Sequence, residues 1–216
     1  MKSETRFLLI MLGLVLILGA GLAALNYYTR PPQPPPVKQT EIKLDEVLAS
    51  GRPEKGNPNA RVVIIEFSDL QCPSCRRGNE ALEQLLLRYE GKIRVVYRHY
   101  PLDMHERAML YAQAAEAAHR QGKFWQMQDL IFNEQDANDK RLEEFARSLG
   151  LNMEQFRKDI KSREVTQAVV EDLSTGKRLG ITSTPTYFLF VGDKGQMIQG
   201  YTTLLSEVQK VMEGDS

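Results

Sequence analysis

Residues 62–67 read Val-Val-Ile-Ile-Glu-Phe, and no other stretch limits the possible fold as much. A β-branched, nearly uninterrupted apolar run of this length is the pattern of a strand buried on both faces. Gly56-Asn57-Pro58-Asn59 ahead of it is a cluster of turn formers. Beyond it, Leu82, Leu85, Leu86 and Tyr89 recur at helical spacing and Gly91 is a natural stop. Residues 93–100 (IRVVYRHY) form a second strand. Strand, helix and strand within about forty residues make a βαβ unit, and so a parallel pair.

From Pro101 to Leu179 the pattern is helical almost throughout. AMLYAQAAEAA (108–118), FWQMQDLIF (124–132) and RLEEFARSLG (141–150) each carry an apolar stripe opposite a charged face. Asn152 with Gln155 resembles a capping box that opens another helix. Strand character returns over residues 187–191, Gly192-Asp193-Lys194-Gly195 forms a hairpin turn, and residues 196–200 return. A last helix places Leu204, Leu205, Val208, Val211 and Met212 on one face. There is no internal repeat. The expected class is α/β with a mixed sheet and a helical segment, 101–179, inserted between the second strand and the last strands.

The N-terminal region is of another kind. Residues 7–25 (FLLIMLGLVLILGAGLAAL) hold no charge, and a helix of that length spans roughly 28 Å, near the hydrocarbon thickness of a bilayer. Lys2 and Arg6 precede it and Tyr27 and Tyr28 follow, which orients residues 1–6 to the cytoplasm and exports the remainder. Gly21-Leu22-Ala23 also supplies small residues for signal-peptide cleavage, although the run is longer than signal peptides usually carry. Residues 31–36 (PPQPPP) favour extended polyproline II, so residues 26–55 are expected to be a proline-rich linker and 56–216 the exported domain. With Lys2, Arg6, Arg30 and Glu4 set aside, residues 37–216 carry 25 basic and 27 acidic side chains. That balance gives no reason to expect nucleic acid as a partner.

The chain has two cysteines, and both lie in Cys72-Pro73-Ser74-Cys75, between the first strand and the first helix. They cannot build a disulfide framework, a four-thiolate cluster or a four-cysteine zinc site. An inert disulfide here is a poor staple, because a four-residue loop removes little chain entropy. With Cys72 at the helix N-cap and Pro73 at N1, the Cys72 sulfur faces unpaired amides and the positive end of the helix dipole, which lowers a thiol pKa. Cys75, one turn in, is the more buried second thiol. Copper transfer finds no Met- or His-rich tract beside the motif, and His99, His105 and His119 form no metal spacing with the cysteines or each other. Trp125 is expected in the core of the insert, with substrate contact as the other reading.

Glu66 lies in the apolar strand, where a carboxylate is costly unless it is paired or protonated. There it can relay a proton to or from Cys75; the other reading turns it to the surface at a strand end. Asp69 is expected to be an exposed turn residue. Thr184-Pro185 enters the returning strand either at an edge or through a cis bond, and by sequence alone trans is the commoner form.

EFSDLQCPSC (66–75), RHYPL (98–102), AQAAEAA, GKFWQMQDLIF (122–132) and TSTPTYFL (182–189) together resemble the DsbA-like thiol–disulfide oxidoreductases of the thioredoxin superfamily. The resemblance covers roughly residues 56–213, with several motifs agreeing in order and spacing. It implies a thioredoxin-like sheet with the helical domain inserted before the Thr-Pro segment. It implies that Pro185 is cis beside Cys72, that the Thr184 backbone pairs with extended substrate, and that Glu66 is the family's buried acid. The dipeptide between the cysteines is Pro-Ser, where the family's best-known oxidase has a thiolate-stabilising Pro-His.

The function implied is disulfide donation by Cys72 and Cys75 to reduced or unfolded exported proteins. Catalysis would occur in the periplasm or another extracytoplasmic space, with a membrane quinone-linked oxidase as redox partner and no metal or organic cofactor. The alternatives are a reductase or isomerase fed by a membrane electron donor, and a tethered peptide-binding module.

Overall fold

The computed structural model describes Met11, Gly13, Gly19, Gly21 and residues 42–214. Five strands form one sheet in the order β1-β3-β2-β4-β5: β1 Glu54–Gly56, β2 Val62–Ser68, β3 Ile93–His99, β4 Thr186–Val191 and β5 Lys194–Gln199. β2 and β3 pair in parallel, and every other neighbouring pair is antiparallel. Central β2 is buried along its whole length, as its unbroken apolar run requires. Helix α1 is Leu44–Val47, α2 Pro73–Arg88, and α8 Tyr201–Gly214. The insert between β3 and β4 holds α3 Ala108–His119, α4 Phe124–Asn133, α5 Asp139–Ser148, α6 Met153–Asp159 and α7 Arg163–Arg178.

Strand alternation divides the core. Val62, Ile64, Ile93, Val95 and Leu189 pack against Leu82 and Leu85 of α2 and Leu204 and Val208 of α8. Val63, Ile65, Phe67, Val96, Phe188 and Phe190 face the other way, against Val47 and Ile181. Local chemistry sets the ends of the insert's helices. Asn138, Asn152 and Ser162 each accept the amide three residues on at an N-terminus. The capping box at Asn152 is half made: the Gln155 side chain turns forward to Asp159 at 2.8 Å. Gly192, at φ 61°, opens the two-residue turn that joins β4 to β5.

Residues 42–55 differ from the expected linker. Ile42 bridges to Gly195, Val47 is fully buried, and β1 pairs with β3, so the folded domain already includes residue 42. What holds this segment is distant in sequence. Asp172 of α7 accepts from Arg52 at 2.8 Å, from Arg98 at 2.7 Å and from the His99 amide at 3.0 Å. Arg98 also donates to the Val47 carbonyl at 2.7 Å. Trp125, placed in the insert core by its sequence, reaches the same edge. Its ring packs edge-on to Tyr97 and Phe124, its indole N–H donates to the Glu54 carbonyl at 3.2 Å, and the Lys55 ammonium lies 4.1 Å from the ring centre.

Met11, Gly13, Gly19 and Gly21 are helical; the rest of the apolar stretch 7–25 and the proline run 31–36 lie outside the described residues. Among the described residues no helix is long and apolar enough to cross a membrane.

Replacing Asp172 with Ala takes the shared carboxylate from two guanidinium groups, one of them in the core, and is expected to cost about 3–5 kcal/mol. Urea denaturation checks this; a loss below about 1 kcal/mol, the size of a surface pair, contradicts the account.

Candidate functional site

The turn after β2 delivers Cys72 to the N-cap position of α2. Its backbone is extended (φ −82°, ψ 122°), Pro73 occupies the first helical turn, and the Cys72 carbonyl accepts from the Cys75 and Arg76 amides at 3.0 and 3.2 Å. Proline fits there because an amide hydrogen at that position has no helical partner. The Cys72 side chain is 8% exposed and Cys75 is wholly buried. Both are free thiols.

The two sulfurs are driven in opposite directions. Cys72 is lowered to about 5, first by the Cys75 thiol, then by the Cys75 amide, Thr184 and the Ser74 amide, with burial opposing. No side-chain hydrogen bond caps the helix, so the amides act on the sulfur as oriented dipoles. The Cys72 thiol lies 3.8 Å from the Thr184 carbonyl. Cys75 is raised well above an ordinary thiol, by burial first and by Cys72 second. One slightly accessible nucleophile and one wholly buried, protonated partner is the division of labour a dithiol exchange needs. Arg76 and Arg77 point to solvent, toward Glu80 and the Tyr201 ring.

Thr184-Pro185 is cis, against the sequence-only expectation and as the family resemblance implies. Pro185 is buried against Gly78, where any Cβ would collide with the Tyr187 hydroxyl. That collision requires glycine one turn beyond Cys75.

Glu66 is buried, not turned to the surface, and neither carboxylate oxygen has a hydrogen-bond partner. It shares a sheet face with the α2-packing residues, between Tyr97 of β3 and Tyr187 of β4 in the strand register. Burial pushes its carboxyl up to about 7, and Ser68 and Lys55 offset this only in part. Burial also raises both phenols, with the Glu66 and Cys75 charges adding to it.

Asp69 is not the exposed turn residue its sequence suggests. Its side chain is fully buried and satisfied by donors from Gln71, Leu102 and His105. Local sequence cannot show this, since two of those partners lie more than thirty residues away. The histidines are structural: His99 meets Glu116, His105 meets Asp69, and His119 meets the Gly51 carbonyl. Among the described residues no group of three or more His, Cys, Asp or Glu is placed to hold a metal. The sequence reading missed Asp69, Gly78, Tyr97 and Tyr187, of which only Gly78 carries a local signal, a glycine inside a helical pattern.

Comparison with known proteins places this geometry. The thioredoxin family profile matches residues 50–203. A thioredoxin-like oxidoreductase from Silicibacter pomeroyi has 27% identity and a TM-score of 0.62, over 80% of this chain and 99% of that one. DsbA2 of Pseudomonas aeruginosa has 27% identity and a TM-score of 0.65, over 76% of this chain and 96% of that one. Among curated relatives, the Na(+)/H(+) antiporter NhaA 1 of Mycolicibacterium vanbaalenii is 30% identical over 181 residues, 82% of this chain. The Na(+)/H(+) antiporter NhaA 3 of Salinispora tropica is 35% identical over 137 residues, 62% of this chain. This chain spans only 28% and 21% of the length of those two proteins. From the family profile and the shared architecture, the chain belongs to the thioredoxin family, as a DsbA-like member of the thioredoxin superfamily.

Proposed function

We propose that this chain is an extracytoplasmic thiol–disulfide oxidoreductase that donates the Cys72–Cys75 disulfide to exported proteins. The observation that carries the reading is the lowering of Cys72 to about 5 beside a buried Cys75 held high. A stabilised Cys72 thiolate stabilises the reduced enzyme, and so makes its disulfide oxidising. The Pro-Ser dipeptide reaches this state without histidine, through main-chain donors and the second thiol.

A substrate thiolate attacks the Cys72 sulfur, the disulfide breaks, and Cys75 leaves with the electron pair. Burial disfavours a Cys75 thiolate, so it takes a proton; Glu66, titrating near neutrality on the same side of the sheet, is the acid assigned to that transfer. A second substrate thiolate then attacks the substrate sulfur of the mixed disulfide and releases Cys72 as thiolate. The Thr184 backbone and Pro185 hold the substrate extended beside Cys72. Residues 7–25 anchor the domain to a membrane, and a quinone-linked membrane oxidase restores the disulfide.

The test is oxidation of a reduced, unfolded, cysteine-containing protein by the oxidised chain. Wild type is expected to form its disulfides at least about tenfold faster than the uncatalysed control. Cys72→Ala should lose that activity, and so should Cys75→Ala, which cannot form the internal disulfide; offered a disulfide-bonded substrate instead, Cys75→Ala should trap a mixed disulfide on Cys72 and release the other substrate thiol. Full activity in Cys72→Ala sinks the proposal; ready reduction of disulfides without donation reverses the assigned direction.

Glu66 gives a second expectation. Its folded pKa, about 7, stands above the ordinary 4.5. Its contribution to stability is therefore full below pH 4.5 and is lost as the pH rises to about 7. Glu66→Gln should remove that decline, a difference of about 3 kcal/mol in urea denaturation near pH 8. An unchanged pH profile contradicts the buried, unpaired carboxyl.

A further inference from the structure

The turn between β2 and α2 is strapped to the helical insert, and Asp69 lies at the centre of the strap. One carboxylate oxygen accepts from the Leu102 amide at 2.8 Å and pairs with His105 Nδ1 at 2.8 Å. Both partners stand on the loop that leaves β3 for the insert. The other oxygen accepts from the Gln71 amide at 2.7 Å. Two more bonds cross the same gap: Gln71 Oε1 accepts from the Arg107 amide at 2.7 Å, and the Leu70 carbonyl from Gln135 Nε2 at 3.2 Å.

The main chain of Asp69 reaches the cysteines. Its N–H donates to Cys75 Sγ at 3.4 Å, and its carbonyl accepts from the Cys72 amide at 3.1 Å. One residue thus grips the insert with its side chain and both cysteines with its backbone. A fully buried carboxylate is costly without donors, and three donors from separate points of the chain are a costly arrangement for a simple turn. Asparagine keeps one acceptor oxygen, enough for either the Leu102 or the Gln71 amide but not both; alanine keeps none.

We infer that Asp69 is a positioning residue, through which the entry loop of the insert, residues 101–107, holds the Cys72–Cys75 pair in its reactive geometry. This rests on the thiol–disulfide reading above. Loss of the side chain frees the turn, relaxes the Cys75 contact and the Cys72 amide bond, and weakens the stabilisation of the Cys72 thiolate. The reduced form then becomes less favourable relative to the disulfide. Loss of the negative charge alone acts in the opposite sense, since an anion nearby disfavours a thiolate.

The experiment compares full-length wild type, Asp69→Ala, Asp69→Asn and His105→Leu. Its readouts are the Cys72 thiolate titration by ultraviolet absorbance, the equilibrium constant with glutathione, and the thermal midpoint. Asp69→Ala should raise the Cys72 titration and move the constant toward disulfide by about tenfold, which corresponds to about 30 mV. Asp69→Asn should stay within about threefold of wild type, and His105→Leu, which keeps the carboxylate and removes one donor, should move the same way as alanine by about threefold. If Asp69→Ala does not fold, His105→Leu decides, and a wild-type constant in it overturns the proposal. Equal shifts toward a lower titration in both Asp69 variants would show a charge effect and overturn it. A lowered thermal midpoint with wild-type titration and constant would show a merely structural role and also overturn it. A wild-type chain that does not exchange with glutathione overturns the redox reading itself; one that exchanges, with Asp69→Ala unchanged, overturns this inference alone.

Discussion

The first turn of α2 carries amide hydrogens that no helical carbonyl can accept, and the Cys72 sulfur is placed among them. That constraint organises the structure around it. For the sulfur to feel those dipoles, the strand before it must end at a fixed height, the helix must begin at once, and water must be largely excluded. Continuous burial of β2 supplies the first condition, Pro73 the second, and the Thr184-Pro185 segment together with the insert's apolar cluster, in which Cys72 packs, the third. An exposed helix terminus would lose much of the effect to solvent screening.

The same arrangement places the second thiol where charge is disfavoured. Cys75, Glu66, Tyr97 and Tyr187 share a low-dielectric region between the sheet and α2, and burial is the largest cause of every shift among them. Low dielectric makes neighbouring titrations communicate, because each new charge is poorly screened from the others. The Glu66 carboxyl is the one group of the four brought near neutrality, which fits it to move a proton when the sulfurs exchange electrons.

Much of this architecture was legible in the chain because its causes are local. A six-residue run, apolar at all but Glu66, a helical stripe and a second strand describe a βαβ unit directly, and a proline directly after the first cysteine marks the helix start. The sheet edge and the insert's attachment were not legible, since they depend on partners far apart. Arg52 finds Asp172 at a separation of 120 residues, and Asp69 finds His105 at 36. No window of sequence holds both halves of either pair, so Asp69 looked like a solvated turn residue and residues 42–55 like linker. Glu66 was conspicuous for the converse reason: a charge inside an apolar strand violates local consistency, and such violations concentrate at functional sites.

The central claim is that the environment of Cys72 makes this dithiol pair oxidising. Its most direct measurement is the reduction potential of the protein, by equilibration against glutathione buffers. The account predicts a value near about −120 mV, among the strong oxidants. A value near about −270 mV, typical of a reductase of the same fold, would contradict it.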